Sequence, residues 1–541
     1  MRNKTFSSLK YLLLVYLLIT VAMPILYLFG TIRGEHIQSV FQSAQFWPML
    51  QNSVLTTLIA TCISVSLSFL MAWLLNRSNI RFKSVFVVLF TIPMLIPSIS
   101  HGMGLVQLLG DNGIITNLLG INIDLYGYTG IVMGSVLYSF PVSFLMFNDS
   151  FQYEDYTVYE AASVLGLSKW QQFLTITLPT MRRTIVSAVL AVFTMVFTDY
   201  GVPLMTGGTA MTLPVYMYRE VIGMMNFSNG AVVGVVLLIP AVAAFLMDLR
   251  NSGIQASSST VTKAYRIEPN KARDVAVYAL FAVTLICLCL PIAAFALLSF
   301  VKQYPIDMSF SLDTIRKLMT TGIGMYLVNS LAVALLTALI GTCIAFFSAY
   351  ITARSQKSLS NKTLHFISML SLAIPGVVLG LSYVMSFNKL PIYGTIFILV
   401  LVNIVHFFSS PYLLAYNSLS KFNPNLEDVA ETLGISRMKI LFAVYVPCTR
   451  ATIVEMYSYF FVNAMITISA VSFLINFRTT PLSLLIPQLE AQSFIEGTAM
   501  VSLFILMLNL VEKGIAFFVK RAIMLEDLRN GTVGVAPETD Q

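Results

Sequence analysis

Tyr159-Glu160-Ala161-Ala162-Ser163-Val164-Leu165-Gly166-Leu167-Ser168-Lys169, with Pro179 and Arg182 downstream, returns 268 positions later. The second copy reads Glu427-Asp428-Val429-Ala430-Glu431-Thr432-Leu433-Gly434-Ile435-Ser436-Arg437, with Pro447 and Arg450 at the same distances. No gap is needed between Gly and Pro in either copy, and each copy lies between two long apolar runs. A polar helix repeated at matching places in an apolar chain implies a duplicated membrane protein with two docking points for one kind of partner.

The composition agrees. Of 541 residues 57% are hydrophobic and only 11% charged, with a mean hydropathy of +0.81; soluble domains carry about 25% charged residues. A membrane span needs about 20 mostly apolar residues. Twelve such runs are readable: 11–30, 52–75, 85–109, 129–148, 184–198, 231–247, 275–300, 328–350, 364–387, 394–416, 451–473 and 498–518. With both termini inside, 25 of the 32 Lys and Arg fall in inside segments and 7 in outside loops, counting Lys513 with the C-terminal segment. That bias follows the positive-inside rule, so the net charge of +7 is a topology signal and does not point to nucleic acid. The first run lacks a small-residue cleavage site before Thr31 and reads as a retained span. The five cysteines are scattered and odd in number, and they read as small packing residues without a metal or disulfide role.

The expected fold is all-α: about twelve spans in two parallel six-helix halves. Residues 1–250 form the first half (core about 48–249), 251–273 a Ser-rich, basic cytoplasmic linker, and 274–541 the second half (core about 325–518). Matched landmarks support a duplication. Asn52-Ser53 opens the second run and Asn329-Ser330 the eighth; Ile96-Pro97 breaks the third and Ile374-Pro375 the ninth; Pro141 and Pro411 sit in the fourth and tenth. A pathway between two such halves lies near their interface.

Local physics predicts the form of the repeated loop. Thr157 and Glu160 have capping-box spacing, and Asn425 offers a polar cap before an acidic first turn. Ala161, Ala162, Val429 and Ala430 are small and allow close approach. Gly166 and Gly434 stand where a left-handed residue ends a helix, Ser168 and Ser436 can cap the next one, and Pro179 and Pro447 mark the bend into the following span.

These residues resemble the EAA motif of ABC importer permeases: Glu-Ala-Ala, Gly four residues after the second Ala, then an apolar residue and Leu-Pro. The first copy matches at Glu160-Ala161-Ala162, Gly166, Ile176 and Leu178-Pro179. The second departs, with Asp428 for Glu, Val429 for the first Ala and Val446 before Pro447. The whole chain is similar to the fused, two-halves-in-one-chain type I permeases that serve ferric iron, 2-aminoethylphosphonate or thiamine. The resemblance implies a permease subunit of the bacterial cytoplasmic membrane, with both termini cytoplasmic. It implies two copies of an ATP-binding subunit docked on the cytoplasmic face, and a solute-binding protein that delivers cargo outside. The short helices, about 156–165 and 426–433, would be coupling helices; their contact residues would be Glu160, Ala161, Ala162, Gly166, Pro179, Asp428, Ala430, Gly434 and Pro447. The chain holds no Gly-x-x-x-x-Gly-Lys-Ser/Thr, so it is not expected to be an enzyme. No cofactor is expected in this chain, ATP and Mg being bound by the partner subunits.

Asp199, His101 and His406 are the candidate pathway residues, because ionisable groups at membrane depth are costly and often functional. His101 lies in Ser98-Ile99-Ser100-His101-Gly102-Met103-Gly104, which reads as irregular backbone after Pro97. Arg450 is expected to pair with Glu455. A twelve-span ion-coupled transporter is the alternative architecture; it requires a charged coupling site within the spans. Among cargoes, the loop 110–115 and the fused layout resemble the iron and phosphonate members, with the lean toward phosphonate.

Overall fold

A computed structural model describes residues 2–120, 123–252, 263, 265–355 and 358–529. Of the linker, residues 253–262 and 264 lie outside the described residues. Among the described residues eight helices are long and apolar enough to cross a membrane: Ser8–Gly30, Phe46–Arg77, Tyr128–Gln152, Lys169–Phe197, Phe227–Asn251, Lys271–Leu298, Ile323–Arg354 and Ile495–Arg529. Counting each of four bent pairs as one span brings the number to twelve: Lys83–Leu95 with Ser98–Leu119, Leu359–Ala373 with Gly376–Phe387, Ile396–His406 with Ser409–Ser420, and Arg437–Cys448 with Arg450–Ile466. In chain order these twelve correspond to the twelve runs expected from sequence.

The bends have local causes. The third and ninth spans turn by 95° and 111° just before Pro97 and Pro375, which lack an N–H and push the preceding residue out of the helical region. Ile96 and Ile374 are both extended, at ψ 153° and 113°. Beyond Pro97 the helix Ser98–Leu109 is regular, so the irregular backbone expected over 98–104 lies instead ahead of it, in the 3-10 turn Ile92–Leu95 and the extended Ile96. The tenth span breaks by 52° ahead of Ser409. Pro411 sits in the first turn of the second piece, where a missing N–H costs nothing.

The chain forms two compact units, each assembled from separated stretches. One comprises Met1–Thr31, Gly322–Ser483 and Phe504–Gln541; the other comprises Ile32–Thr321 and Leu484–Leu503. The units therefore differ from the successive halves 1–250 and 274–541, because the span that opens each half packs into the unit built by the other half. In the first unit the buried Tyr383 hydroxyl of the ninth span donates to Thr20 O of the first at 2.8 Å. In the second, Phe281 of the seventh span packs edge-on against Phe86 and Phe90 of the third, with centroids 5.1 and 5.2 Å apart. Gly104 lets this helix pair approach closely: a Cβ there would lie 2.5 Å from Pro291 Cβ.

The repeated Asn-Ser pairs do one job twice. Ser53 Oγ accepts from Leu213 N–H at 2.8 Å, and Asn52 Nδ2 donates to Met211 O at 3.0 Å. Ser330 Oγ accepts from Leu482 N–H at 2.6 Å, and Asn329 Nδ2 donates to Arg478 O at 2.8 Å. Each ties the start of a 32-residue span to the loop that follows the fifth or eleventh span.

Four cysteines, at 62, 287, 343 and 448, are exposed on helix surfaces and all five are free, so most do not fill the core as their sequence context suggests. Arg450 pairs with Glu526 and Asp527 at 2.9 and 2.8 Å, and Glu455 pairs with Lys520. The twelfth span therefore supplies both partners, and the expected Arg450–Glu455 pair does not form.

Candidate functional site

Each repeated loop is a short helix, a left-handed glycine and a capped second helix that runs into a span. The first short helix is Thr157–Val164 and the second Leu426–Thr432. Gly166 and Gly434 have φ of 78° and 67°, and both copies close with the same two hydrogen bonds. Leu167 N–H donates to Ala162 O and Gly166 N–H to Ser163 O, each at 3.0 Å; Ile435 N–H donates to Ala430 O at 2.8 Å and Gly434 N–H to Glu431 O at 3.0 Å. This pairing is the Schellman motif, which requires the residue after the helix to be left-handed. Ala162 and Ala430 are turned inward and buried, so of each small pair only Ala161 or Val429 faces outward.

Ser168 caps the next helix in a complete capping box with Gln171, at 3.3 and 2.8 Å, and Ser436 Oγ accepts from Lys439 N–H at 3.3 Å. The caps expected at the starts differ. Thr157 N–H donates to Asp155 Oδ1 at 3.1 Å and Glu160 is engaged by Lys263, so no Thr157–Glu160 box forms. Asn425 gives no side-chain cap; its own N–H donates to Asn423 Oδ1 at 2.9 Å. Upstream of each proline lies one π-helical turn, Phe173–Thr177 and Leu441–Tyr445. The wider turn accommodates a residue that cannot donate and whose ring crowds the preceding carbonyl. The span bearing Pro179 runs on as one helix, whereas the one bearing Pro447 bends by 79° before Arg450.

Beneath each short helix sits a buried cluster of arginine, carboxylate and phenol. Arg77, the last residue of the second span, is paired with Glu154, the two side chains 8% and 3% exposed. Tyr159 OH donates to Glu154 Oε1 at 3.0 Å, accepts from Arg77 Nη2 at 3.3 Å and lies 2.8 Å from Thr177 Oγ1. Arg354, the last residue of the eighth span, donates to both oxygens of Glu427 at 2.8 and 2.6 Å and to Phe422 O and Asn423 O at 3.0 and 2.7 Å. Tyr445 OH donates to Glu427 Oε1 at 2.6 Å. Burial pushes the Glu427 carboxyl up, but the hydrogen bonds from Arg354 and Tyr445 outweigh it and hold the group below its ordinary value. Burial of Glu154 is only partly offset by Arg77 and Tyr159, and its carboxyl stands above the ordinary value. Burial also pushes the Tyr159 phenol up to about 12.

Sequence reasoning missed both arginines, although a signal existed: each lies 25 residues beyond the Asn of its repeated Asn-Ser pair. One helix in each unit thus connects the loop after the fifth or eleventh span to a short helix at its other end.

Both loops expose large apolar side chains. Val164 is 88% exposed, Leu165 78%, Trp170 67% and Leu433 70%. Asp428, Gly166, Gly434, Pro179 and Pro447 are exposed as well.

The candidate pathway residues lie elsewhere. Asp199 is buried; it accepts from the Ser98 hydroxyl at 2.7 Å and from Val202 N–H at 3.0 Å. Beside it, Ser53, Thr56, Thr57 and Thr212 line a cavity of about 10 Å³, room for about one water. His101 is on the same helix as Ser98 and bonds through Nε2 to Pro93 O at 3.0 Å. His406 belongs to the other unit and stands against Gly376, where a Cβ would meet its Nε2 at 2.9 Å.

Comparison with known proteins completes the assignment. Residues 64–256 and 341–524 each match the family described as binding-protein-dependent transport system inner membrane component. The chain belongs to this family. It is a two-half ABC importer permease and not an ion-coupled transporter. Over 484 residues it is 23% identical to the putative ferric transport system permease protein FbpB 1 of Haemophilus influenzae, covering 86% of this chain and 76% of that protein. The ferric transport system permease protein FbpB of Actinobacillus pleuropneumoniae gives the same identity, with 86% and 70% covered. The thiamine transport system permease protein ThiP of Escherichia coli is 21% identical, with 65% and 66% covered. Among solved structures, a bacterial alginate ABC transporter in complex with its alginate-bound periplasmic protein aligns at a TM-score of 0.38 and 18% identity, covering 44% of this chain and 91% of that one.

Proposed function

We propose that this permease carries ferric iron inward from an extracytoplasmic binding protein, and that its two loops dock two ATP-binding subunits. The observation that carries the docking is the pair of loops closed by the same two hydrogen bonds at a left-handed glycine, each exposing large apolar side chains. A loop serving only as a connection needs no such matching. Glu160, Ala161, Gly166 and Pro179, with Asp428, Gly434 and Pro447, form the contact surfaces; Ala162 and Ala430 hold the helix ends. ATP-driven approach of the partner subunits pulls on the short helices, and the arginine clusters pass that movement to the second and eighth spans. Asp199, with His101 and His406, is assigned to the cargo path. Both termini are cytoplasmic, in keeping with the Lys and Arg bias. The iron assignment is supported by the FbpB relatives and takes precedence over the phosphonate reading.

Uptake of labelled ferric iron and of 2-aminoethylphosphonate is measured in a strain lacking this chain, complemented by wild type, Gly166→Asp, Glu160→Lys or Gly434→Asp. Loss of iron uptake rescued by wild type alone, with the ATP-binding subunit no longer co-purifying with the variants, is the expected result. A Cβ at Gly166 meets nothing within 4 Å in its own chain, but the φ of 78° strains any side chain there, so it is the loss of co-purification by a variant that still inserts and folds that reports on a partner. Normal uptake by all three variants overturns the docking; loss of phosphonate uptake in place of iron overturns the cargo. For the pathway, Asp199→Ala is expected to lower uptake, and full activity removes it from the path.

A further inference from the structure

We infer that the linker between the halves is a working part of the first loop, with Tyr265 as the residue that positions Arg77; the functional consequence rests on the docking reading above. Contacts from linker residues reach this loop and the end of the span beneath it. Lys263 O accepts from Tyr156 N–H at 3.0 Å, Lys263 Nζ is paired with Glu160, and Lys169 reaches Glu268 at 3.9 Å. One more is central: the Tyr265 ring lies over the Arg77 guanidinium, 3.3 Å from its centroid. That ring also meets Tyr156 and Tyr159 edge-on, at 4.9 and 5.1 Å.

Comparison of the two clusters explains why the ring is there. Arg354 spends its spare N–H groups on the carbonyls of Phe422 and Asn423. Arg77 Nη1, although buried, has no hydrogen-bond partner among the described residues. A flat guanidinium short of acceptors is stabilised by an aromatic face, which attracts the cation through its quadrupole. Tyr265 supplies that face from a segment distant in sequence, while the second cluster meets the same need from its own loop. The first short helix is therefore held by the linker as well as by its own span. Lys263 also occupies Glu160, the acidic residue of the motif, so a partner that takes Glu160 must displace Lys263.

The test is hydrogen–deuterium exchange on the full chain in lipid nanodiscs, comparing wild type, Tyr265→Ala and Tyr265→Phe. The expected result is exchange over 157–166 that is faster by about tenfold in Tyr265→Ala, the scale of a desolvated cation–π contact. Exchange over 426–435 stays unchanged, and Tyr265→Phe, which keeps the ring face, matches wild type. Unchanged exchange at 157–166 overturns the inference, as does equal acceleration in both loops or a Phe variant that behaves like Ala. Failure of the docking reading shows separately, as normal uptake by Gly166→Asp, and leaves the exchange comparison intact.

Discussion

Replacing Arg354 by Met tests whether the buried cluster, and not the short helix itself, holds the second loop. Met preserves much of the apolar stem and removes the four hydrogen bonds that the guanidinium makes to Glu427, Phe422 and Asn423. The side chains of Arg354 and Glu427 are only 5% and 7% exposed, so the variant strands a buried carboxylate. Removing one partner of such a pair costs about 3–5 kcal/mol. Glu427 lies near the end of a loop and can take a proton or swing outward, which places the expected cost at the lower limit. About 3 kcal/mol corresponds to a roughly 150-fold rise in local opening, because a helix of seven residues has little stability of its own. Exchange over 426–435 reads this directly. Adding Glu427→Gln to Arg354→Met removes the stranded charge and should restore about 2 kcal/mol of the loss, the scale of coupling between residues in one network. Less than about fivefold acceleration in Arg354→Met, or a double variant whose loss equals the sum of the singles, refutes the reasoning.

The other predictions concern the glycines and the response to acid. Gly166→Ala should weaken the helix end by about 1–2 kcal/mol, the cost of a left-handed conformation for a residue with a Cβ, with Gly166→Asn milder; equal stability of Gly, Ala and Asn variants in thermal melts contradicts this. Gly104→Ala should loosen the seventh span from the third, because its Cβ would fall 2.5 Å from Pro291 Cβ. A loss of about 1–3 kcal/mol, read as a lower melting temperature in detergent, is expected, and an unchanged melt refutes the close approach. On acidification the loops should diverge. Glu427 is held below its ordinary value, so its contribution is complete above about pH 4.3, the unfolded Glu pKa, and is lost as pH falls through the lower folded value. Glu154 stands above its ordinary value, so its folded form binds protons more readily and first-loop stability rises as pH falls from neutral toward about 4.3. Rate-corrected exchange that shows the second loop opening first, above pH 4.3, runs against both directions.

The twelve spans, the duplication and the glycine ends of both loops were legible in the sequence because each follows from a local rule. Apolar length marks a span, a proline marks a break, and Gly before a Ser cap marks a helix end. The composition of the compact units was not legible: apolar runs carry no label for their neighbour, and Gly104 against Pro291 or Phe281 against Phe90 is a matter of shape. The Thr157–Glu160 box failed for a related reason. Its spacing is right, but Lys263, a hundred residues away in sequence, engages the carboxylate that the box needs.

The clusters beneath the loops show why residue-by-residue matching misses such a device. At the loop offset, Glu154, Tyr159 and Thr177 correspond to Phe422, Glu427 and Tyr445. The carboxylate has moved to the position of the phenol, and the phenol to that of the Thr hydroxyl, yet both arginines find an acid and a tyrosine. What duplication preserved is the Arg at the end of a 32-residue span and the requirement that its charge be met; which loop position meets it was free to change. The exchange has a physical consequence. In the second loop the acid is on the short helix itself, so the clamp grips the helix through a charged bond. In the first the acid precedes the helix, and Tyr159 joins the two through its neutral hydroxyl and through a ring 5.2 Å from the Arg77 guanidinium, a weaker link between span and helix than a direct ion pair. A ring stacked on Arg77 from the linker strengthens the copy whose own contacts are weaker. The two loops can thus share one outward form while differing in how firmly each is anchored to its span.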